Sequence, residues 1–253
     1  MKTPSFPTLT QMMSIRDRRG CGFILLIDPD DIPFPEIEDR VRRAISLGVD
    51  IIFVGGSLLM SHNMDEVTRT IKKAAGEAPV IVFPGGPQQI SGFADAILFI
   101  SLISGRNPEN LIGHQVMAAP IIHQLGLEAI SCGYMLIESG NLTSVGFRSA
   151  SLPIPRSKPK IALAHALAAQ YLGMSSIYLE AGSGAELTVP DEMVALCAQF
   201  LDIPIIVGGG LRTPEEAGRK ARAGADFVVI GNFFEADGAY ERIRDFAEAI
   251  HRP

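Results

Sequence analysis

The sequence is poor in cysteine, which limits the ways in which the chain could be cross-linked or bind a metal. Cys21, Cys132 and Cys197 are the three cysteines among 253 residues, and they lie far apart. An odd, dispersed set fits neither a disulfide framework nor a zinc site. We therefore expect three buried thiols in a reduced, cytoplasmic protein.

Positive charge and long apolar runs are also scarce. The 22 lysines and arginines are outnumbered by 28 acidic residues, and the formal net charge of −6 argues against a protein that covers nucleic-acid phosphates. Met1–Pro4 lacks the apolar core of a signal peptide, and no apolar run approaches the roughly twenty residues of a membrane span. We expect a soluble protein with no nucleic-acid partner.

Apolar residues, 47% of the chain, occur mainly in short blocks. Such continuous blocks are typical of parallel strands buried on both faces, and helix patterns fill most of the intervals. The pattern predicts a (β/α)8 TIM barrel, and no linker divides residues 1–253 into domains. A dinucleotide-binding fold is less consistent, because the G-x-G-x-x-G fingerprint is missing. The predicted strands are 23–27, 51–54, 80–83, 96–100, one within 128–137, 176–180, 205–207 and 227–230, and a closing helix covers about 239–250.

Four segments depart from a regular repeat. A short helix around Leu9–Ile15 precedes the first strand. Pro84–Pro87 leaves little room for a helix, so the third crossover is predicted to be degenerate. Pro120 should break or kink the helical region 109–125. The longest irregular segment, 138–159, has the length of a lid or binding loop.

Glycine turns follow the last three predicted strands, at Gly182-Ser183-Gly184, Gly209-Gly210 and Gly231-Asn232. Segments after the strands of a TIM barrel face its active-site end, and the loops after strands seven and eight commonly hold phosphate. Backbone N–H groups there, and at the helix that starts at Thr213–Glu216, suit an anion. A single turn could merely reverse the chain, but three in succession favour phosphate binding.

Carboxylates follow two other strands. Asp28 and Asp30 come after the first strand and Ser57 after the second. These oxygen ligands suit Mg²⁺, although both aspartates could be no more than turn or helix-entry residues. Glu180 ends the sixth strand and is either a general base or a structural hydrogen-bond acceptor.

Basic residues lie in or beside the upper loops, where they could grip a second anion or remain solvated charges. They are Arg106, Arg148, Arg156, Lys158 and Lys160. The histidines show no triad or metal spacing, so surface or packing roles are expected. They are His62, His114, His123, His165 and His251.

Together these motifs resemble the geranylgeranylglyceryl phosphate synthase family, which includes the PcrB-type heptaprenylglyceryl phosphate synthases. The resemblance runs from about residue 20 to the C-terminus, and Tyr178–Gly184 is its most specific part. The motifs are Leu26–Asp30, Val54–Ser57, Ser104–Pro108, Tyr178–Gly184, Val207–Arg212 and Ile230–Asn232.

The resemblance implies a Mg²⁺-dependent prenyltransferase that joins sn-glycerol 1-phosphate to a polyprenyl diphosphate by an ether bond, and a homo-oligomer. It implies that Asp28 and Ser57 bind Mg²⁺, that Glu180 accepts the hydroxyl proton, and that Asp30 and Arg106 are candidates for diphosphate contacts. The residues implied to hold glycerol phosphate are Tyr178, Leu179, Glu180, Ala181, Gly182, Ser183, Gly184, Gly209, Gly210, Gly231 and Asn232.

Leu26 and Asp31 depart from the pattern, because some relatives carry basic residues there. The Ser-Gly-Arg-Asn-Pro motif resembles the second group of the family and implies a geranylgeranyl donor. An apolar trench for its chain is expected past Phe83, Phe99, Leu102, Tyr134 and Ile137. The alternatives are another phosphate-binding barrel, acting as an isomerase or lyase, and a non-catalytic barrel that binds a phosphorylated metabolite.

Overall fold

The computed structural model describes residues 6–56, 58–60, 63–231 and 239–251. Within them, eight parallel strands pair in sequence order, and the eighth pairs with the first to close a barrel. The predicted TIM barrel is therefore confirmed. The strands are β1 Gly22–Ile27, β2 Ile51–Val54, β3 Val80–Val82, β4 Ala96–Leu102, β5 Glu128–Leu136, β6 Ser176–Glu180, β7 Ile205–Gly208 and β8 Phe227–Ile230.

Helices surround the barrel, and local sequence sets several of their ends. The side chain of Asn63 accepts from the amide of Asp65 at the start of α3, and Gly20 ends α1 in the left-handed conformation. The helices are α1 Pro7–Arg19, α2 Ile37–Ser46, α3 Met64–Ala75, α4 His114–Leu125, α5 Ser144–Ser149, α6 Pro159–Tyr171, α7 Asp191–Phe200, α8 Pro214–Ala223 and α9 Ile243–Ile250.

The core has two layers, because successive residues of each strand point to opposite faces. In β5, Tyr134 and Leu136 belong to the cluster inside the barrel. Met135 and the following Ile137 belong to the cluster between the strands and the helices. Both layers are apolar, which explains why the strands appear as continuous apolar runs.

The helix α1 closes the N-terminal end of the barrel. Met12 and Ile15 pack into the inner cluster. The amides of Thr8 and Leu9 donate to the carboxylate of Glu128 at 2.7 and 3.0 Å, so this carboxylate satisfies the first turn of the helix. The predicted leading helix is present, and it leaves the other end of the barrel for the site.

The third crossover is degenerate, as predicted: residues 83–95, between β3 and β4, contain no helix. The predicted break at Pro120 is wrong, because α4 runs through it. Pro120 and Val116, whose carbonyl loses its helical donor, are both exposed, so water can replace the missing bond. The irregularity comes earlier, in a π-helical turn over Glu109–Gly113.

The segment after β5 is more ordered than predicted. It contains α5, which Thr143 caps by accepting from the amide of Gly146 at 3.4 Å. Ile154 then returns to the end of β5, where its amide donates to Leu136 O at 2.8 Å. The closing helix also differs from the prediction, because Ala239–Arg242 forms a 3-10 turn before α9.

The cysteines and the lengths of the apolar helices can be compared with the expectations from the sequence. Cys21, Cys132 and Cys197 are all buried and unpaired by disulfides, as predicted. None of the helices in the described ranges combines the length and apolarity needed to cross a bilayer.

Candidate active site

A cavity of about 540 Å³ opens at the C-terminal ends of the strands. Its lining comes from the turns after β1, β2, β3, β6, β7 and β8, and from α4 and α5. The cavity therefore lies where the glycine turns and carboxylates were expected to meet.

The run Tyr178–Gly184, at the end of β6, contributes some residues to the cavity and others to the outer layer. Tyr178, Glu180, Ser183 and Gly184 line the cavity. Leu179 and Ala181 instead pack between the barrel and the helices, and Gly182 does not line the cavity either. The resemblance implies that the whole run holds glycerol 1-phosphate, and for Leu179, Ala181 and Gly182 that role stays a prediction.

Glu180 is the buried carboxylate of the site, with 5% of its surface exposed. Burial raises its pKa to about 7, although the amide of Gly182, which donates to Oε1 at 2.5 Å, favours the charged form. The nearby hydroxyl of Tyr178 also favours the charged form, but it makes no well-aligned hydrogen bond. A carboxylate with this pKa can both bind and release a proton near neutral pH.

At two positions of β7 and its turn, neighbouring groups leave room only for glycine. A side chain on Gly208 would clash with the hydroxyl of Tyr178, and one on Gly209 would clash with Oε1 of Glu180. Gly209 also has a φ of +88°, which only glycine adopts readily. The glycine turn therefore lets the backbone approach the buried carboxylate.

Backbone N–H groups at this rim are available to a ligand. Those of Gly184, Gly209 and Gly210 have no hydrogen-bond partner among the described residues, and Gly231 completes the same wall of the cavity. Successive backbone amides without partners can bind a phosphate without a cationic side chain. Asn232, predicted to belong to the same set, lies outside the described residues.

The N-terminus of α8 offers fewer unpaired backbone amides to an anion than expected. Thr213 and Glu216 form a capping box, in which Thr213 Oγ1 accepts from the amide of Glu216 at 3.2 Å. The Glu216 carboxylate accepts in turn from the amides of Arg212 and Thr213. Its own side chains therefore occupy three of the amides at this helix end. The amides of the glycine turns have no such partners among the described residues.

Asp28 lines the cavity from the turn after β1, the strand that pairs with β8 and therefore lies next to the Gly231 turn. It is partly buried, and its Oδ1 accepts from the amide of Asp30 at 3.1 Å. Burial raises its pKa to about 6, with a further contribution from the charges of Asp31 and Asp30. A bound cation would relieve that cost.

The rest of the predicted metal side is only partly present. Ser57 lies outside the described residues. Asp30 does not line the cavity, because its Oδ2 accepts from the amide of Met60 at 2.6 Å, which fits a turn residue. Among the residues that can be described, no three His, Cys, Asp or Glu side chains converge. A single carboxylate still fits Mg²⁺, which takes most of its ligands from substrate phosphates and water.

The basic residues separate clearly. Arg106, predicted to contact diphosphate, does not line the cavity: its guanidinium donates to Gly105 O at 2.6 Å and approaches His165. Arg148 and Arg212 do line it. Arg212 donates to Ala185 O at 2.9 Å, whereas Arg148 has no partner within the described ranges. Among the arginines and lysines that line the cavity in the described ranges, Arg148 of α5 is therefore the one without a partner.

An apolar arm extends from the mouth. Inside the barrel, Phe83 stacks on Tyr178 with ring centres 5.4 Å apart, and Tyr134 lies 5.2 Å from Tyr178. The arm then reaches the outer face of β4, where Phe99 lines it opposite α4. Leu102 lines the arm as predicted, but Ile137 does not, because it faces the outer layer.

Sequence reasoning missed the contribution of α4. His114, Gln115, Ala118 and Ile122 line the cavity, and the side-chain oxygen of buried Gln115 has no partner among described residues. The sequence analysis looked for site residues only in the segments after each strand, and residues on a helix fall outside those segments. The degenerate third crossover was the available signal, because a missing helix exposes the flank of β4.

Comparisons with known proteins agree with the motifs. A model of the PcrB family matches residues 13–250. The chain is 42% identical over 241 residues to a geranylgeranylglyceryl phosphate synthase of Chitinophaga pinensis, with 94% of each protein covered. It is 46% identical over 229 residues to the protein of that name from Thermococcus gammatolerans, with 90% of this chain and 89% of the relative covered.

A solved structure extends the likeness to three dimensions. It is the (S)-3-O-geranylgeranylglyceryl phosphate synthase of Thermoplasma acidophilum in complex with sn-glycerol-1-phosphate. The TM-score is 0.90 at 40% sequence identity, and the match covers 98% of this chain and 99% of that one. The resemblance seen in six motifs therefore holds for nearly the whole chain.

Proposed function

The chain belongs to the PcrB family, and from that premise we propose that this enzyme transfers a geranylgeranyl group from its diphosphate to the C3 hydroxyl of sn-glycerol 1-phosphate. The reaction forms a C–O ether bond and breaks the C–O bond to diphosphate, which leaves. We further propose that it requires Mg²⁺ and that the enzyme is cytoplasmic.

One observation carries the proposal: a buried carboxylate lines the same cavity as three backbone amides that have no partner among the described residues. Gly184, Gly209 and Gly210 would bind the phosphate of glycerol 1-phosphate through N–H groups. That orients the hydroxyl end of this short substrate toward Glu180. With a pKa of about 7, Glu180 accepts the hydroxyl proton as the ether bond forms.

The turn after β1 suits the donor diphosphate. Asp28 would hold Mg²⁺ there, with Ser57 as the second ligand implied by the family, and the bound ion would supply positive charge for the leaving diphosphate. Arg148 lines the same cavity from α5 and would supply a second positive charge, a role predicted for Arg106. In the barrel, β7 and β8 lie between the strand that ends at Glu180 and the strand that precedes Asp28, which would keep the proton acceptor apart from the leaving group.

The apolar arm suits the prenyl chain. Phe83, Phe99, Ala118 and Ile122 provide an apolar surface that begins at the mouth and continues beside α4. An apolar chain gains free energy by leaving water for such a surface. A phosphosugar isomerase has no use for this arm, which favours the transferase over that alternative.

The test is direct transfer. Purified protein is incubated with labelled glycerol 1-phosphate, geranylgeranyl diphosphate and Mg²⁺, and butanol-extractable label is measured. We expect product, and we expect EDTA to abolish it. If no prenyl diphosphate of any length gives product, the transferase proposal is wrong; if EDTA leaves the rate unchanged, the metal proposal alone is wrong.

A homo-oligomer remains a prediction from the family. The outer side of α4 presents a row of exposed apolar side chains that contact between copies would bury. They are Ile112, Val116, Met117, Ile121 and Leu125. Sedimentation velocity of the purified protein measures the oligomeric state.

A further inference from the structure

The segment between β5 and α6 exposes apolar side chains at the mouth of the cavity. Leu142, Phe147 and Leu152 are 72%, 75% and 85% exposed, and we call these three residues the α5 surface. In the same stretch, Thr143 and Ser149 are buried. Folding thus turns polar residues inward and the largest apolar residues outward, the reverse of what burial alone would favour.

The α5 surface adjoins the active-site cavity. Val145, Arg148 and Ser149 line the cavity, and Phe147 lies between them in the chain but points to solvent. The helix α5 has six residues and is about 9 Å long, at 1.5 Å per residue. A ligand that touches the α5 surface is therefore within a few ångströms of the cavity.

Charge distinguishes this segment from the rest of the chain. Residues 138–160 contain Arg148, Arg156, Lys158 and Lys160 but a single acid, Glu138, in a protein of net charge −6. Glu138 is engaged, because its carboxylate accepts from the amide of Arg156 at 3.2 Å. Exposed apolar side chains among basic residues are typical of surfaces that bind anionic lipid headgroups and insert into the outer part of a bilayer.

We propose that the α5 surface docks the enzyme on an anionic lipid bilayer, with the cavity mouth against the membrane. This inference rests on the proposed function, in which the donor and the product are amphiphiles with long apolar chains. Phe147 and Leu142 enter the acyl boundary, while Lys158 and Lys160 contact headgroups. The prenyl chain then passes between the bilayer and the apolar arm without crossing water.

The outer side of α4 is the better surface for a second copy. Its exposed apolar residues extend from Ile112 to Leu125, and positions 110 to 127 contain no basic residue other than histidine. The α5 surface belongs to a segment with four basic residues, which would repel the same residues of an identical partner brought close to them. Lipid headgroups have the opposite charge.

The test is flotation of the protein with lipid vesicles in the absence of substrates. The variants are Leu142→Glu, Phe147→Glu and Leu152→Glu, alone and combined. Leu172→Glu and Phe200→Glu are matched controls, because these side chains are 75% and 51% exposed at the opposite end of the barrel. Vesicles of phosphatidylcholine alone are compared with vesicles that also contain phosphatidylglycerol.

We expect the wild type to bind phosphatidylglycerol vesicles more tightly than neutral ones. The triple variant should bind at least roughly tenfold more weakly, because three inserted apolar groups become charged. The controls should bind like the wild type. All variants should keep wild-type activity on geranyl diphosphate, a short donor that stays in water.

Three results would overturn the proposal: no binding of the wild type to anionic vesicles, an equal loss in the control variants, or a change in oligomeric state caused by the α5 surface variants in place of a change in vesicle binding. The last would assign the surface to a second copy. Vesicle binding without prenyl transfer would leave docking intact and contradict the proposed function, and transfer without vesicle binding would do the reverse.

Discussion

The two sides of the cavity are built from different parts of the chain. On the side of β6, β7 and β8, the lining consists of backbone N–H groups and one buried carboxylate, Glu180, fixed by strand pairing with Leu136 and Gly208. On the side of β4, it consists of side chains from α4, α5 and a crossover without a helix.

The difference follows from what each side is proposed to bind. A small anion needs donors at fixed positions, and a barrel edge supplies them because strand register fixes each turn. A long apolar chain needs volume and freedom from unpaired polar groups, which many combinations of side chains can provide. A few residues therefore determine the geometry of the β6–β8 side. On the β4 side, the absence of a helix in the third crossover provides the space.

The sharpest test of the anion side is Glu180→Gln. The amide keeps the shape of the carboxylate but cannot accept the hydroxyl proton, so kcat should fall by about 10²–10⁴-fold. Glycerol 1-phosphate should still bind in calorimetry. Glu186→Gln is the matched control, an exposed glutamate six residues later. A fall in kcat of less than about tenfold would make Glu180 a structural acceptor.

A second variant tests whether the backbone holds the phosphate. In Gly209→Ala the new methyl group would clash with Glu180 Oε1 and require an unfavourable φ. We expect affinity for glycerol 1-phosphate to fall at least roughly tenfold, the equivalent of one lost hydrogen bond to a charged group. Gly173→Ala is the control, because Gly173 also has positive φ but lies away from the cavity with open space around it.

The stability of Gly209→Ala and Gly173→Ala is measured together with their affinity for glycerol 1-phosphate. Both variants should lose about 1 kcal/mol of stability from backbone strain, and Gly209→Ala should lose more because its methyl group also clashes. If only the loss of stability appears and calorimetry shows equal affinity for glycerol 1-phosphate, the glycine turns serve chain reversal and not phosphate binding.

The comparison also explains how much the sequence could predict. The barrel, the glycine turns, Glu180 and Asp28 were predictable, because each depends on a strand end, and strand ends follow from continuous apolar runs. Leu179 and Ala181 were assigned with their motif, yet strand alternation directs them away from the cavity. The period of two in a strand already predicts that Leu179 faces the other way from Tyr178 and Glu180.

Other features depend on contacts that no local pattern contains. Arg106 was expected at the cavity, but backbone carbonyls of its own loop hold it elsewhere. Arg148 reaches the cavity because α5 forms over the end of β5, and α5 depends on the return of Ile154 to that strand. The capping box of α8 was present in the sequence as Thr213 and Glu216, and its self-satisfied donors could have been anticipated.

The pH dependence distinguishes the two carboxylates. Glu180 must be ionised to accept a proton, and burial raises its pKa to about 7. The rate at saturating glycerol 1-phosphate should therefore fall about tenfold per pH unit below about 7 and level off above it. Asp28, with a pKa of about 6, should lose its proton at lower pH when Mg²⁺ is raised. If the limb near pH 7 moves with Mg²⁺ concentration, it does not belong to Glu180.

The smallest expected effect concerns the donor side, where Ala118→Phe should change chain-length preference. Ala118 is buried in α4 and lines the apolar arm, so a phenyl ring would shorten the space for a long chain. We expect kcat/KM for geranylgeranyl diphosphate to fall roughly threefold to tenfold relative to geranyl diphosphate, in keeping with the modest discrimination of apolar pockets. Ala119→Phe, at the exposed neighbouring position, should change neither value. Because overpacking can cost about 1–3 kcal/mol, thermal unfolding is measured alongside. An equal loss for both donors at unchanged Tm would mean that the prenyl chain does not enter this arm. The apolar surface beside α4 would then have a function other than binding the donor chain.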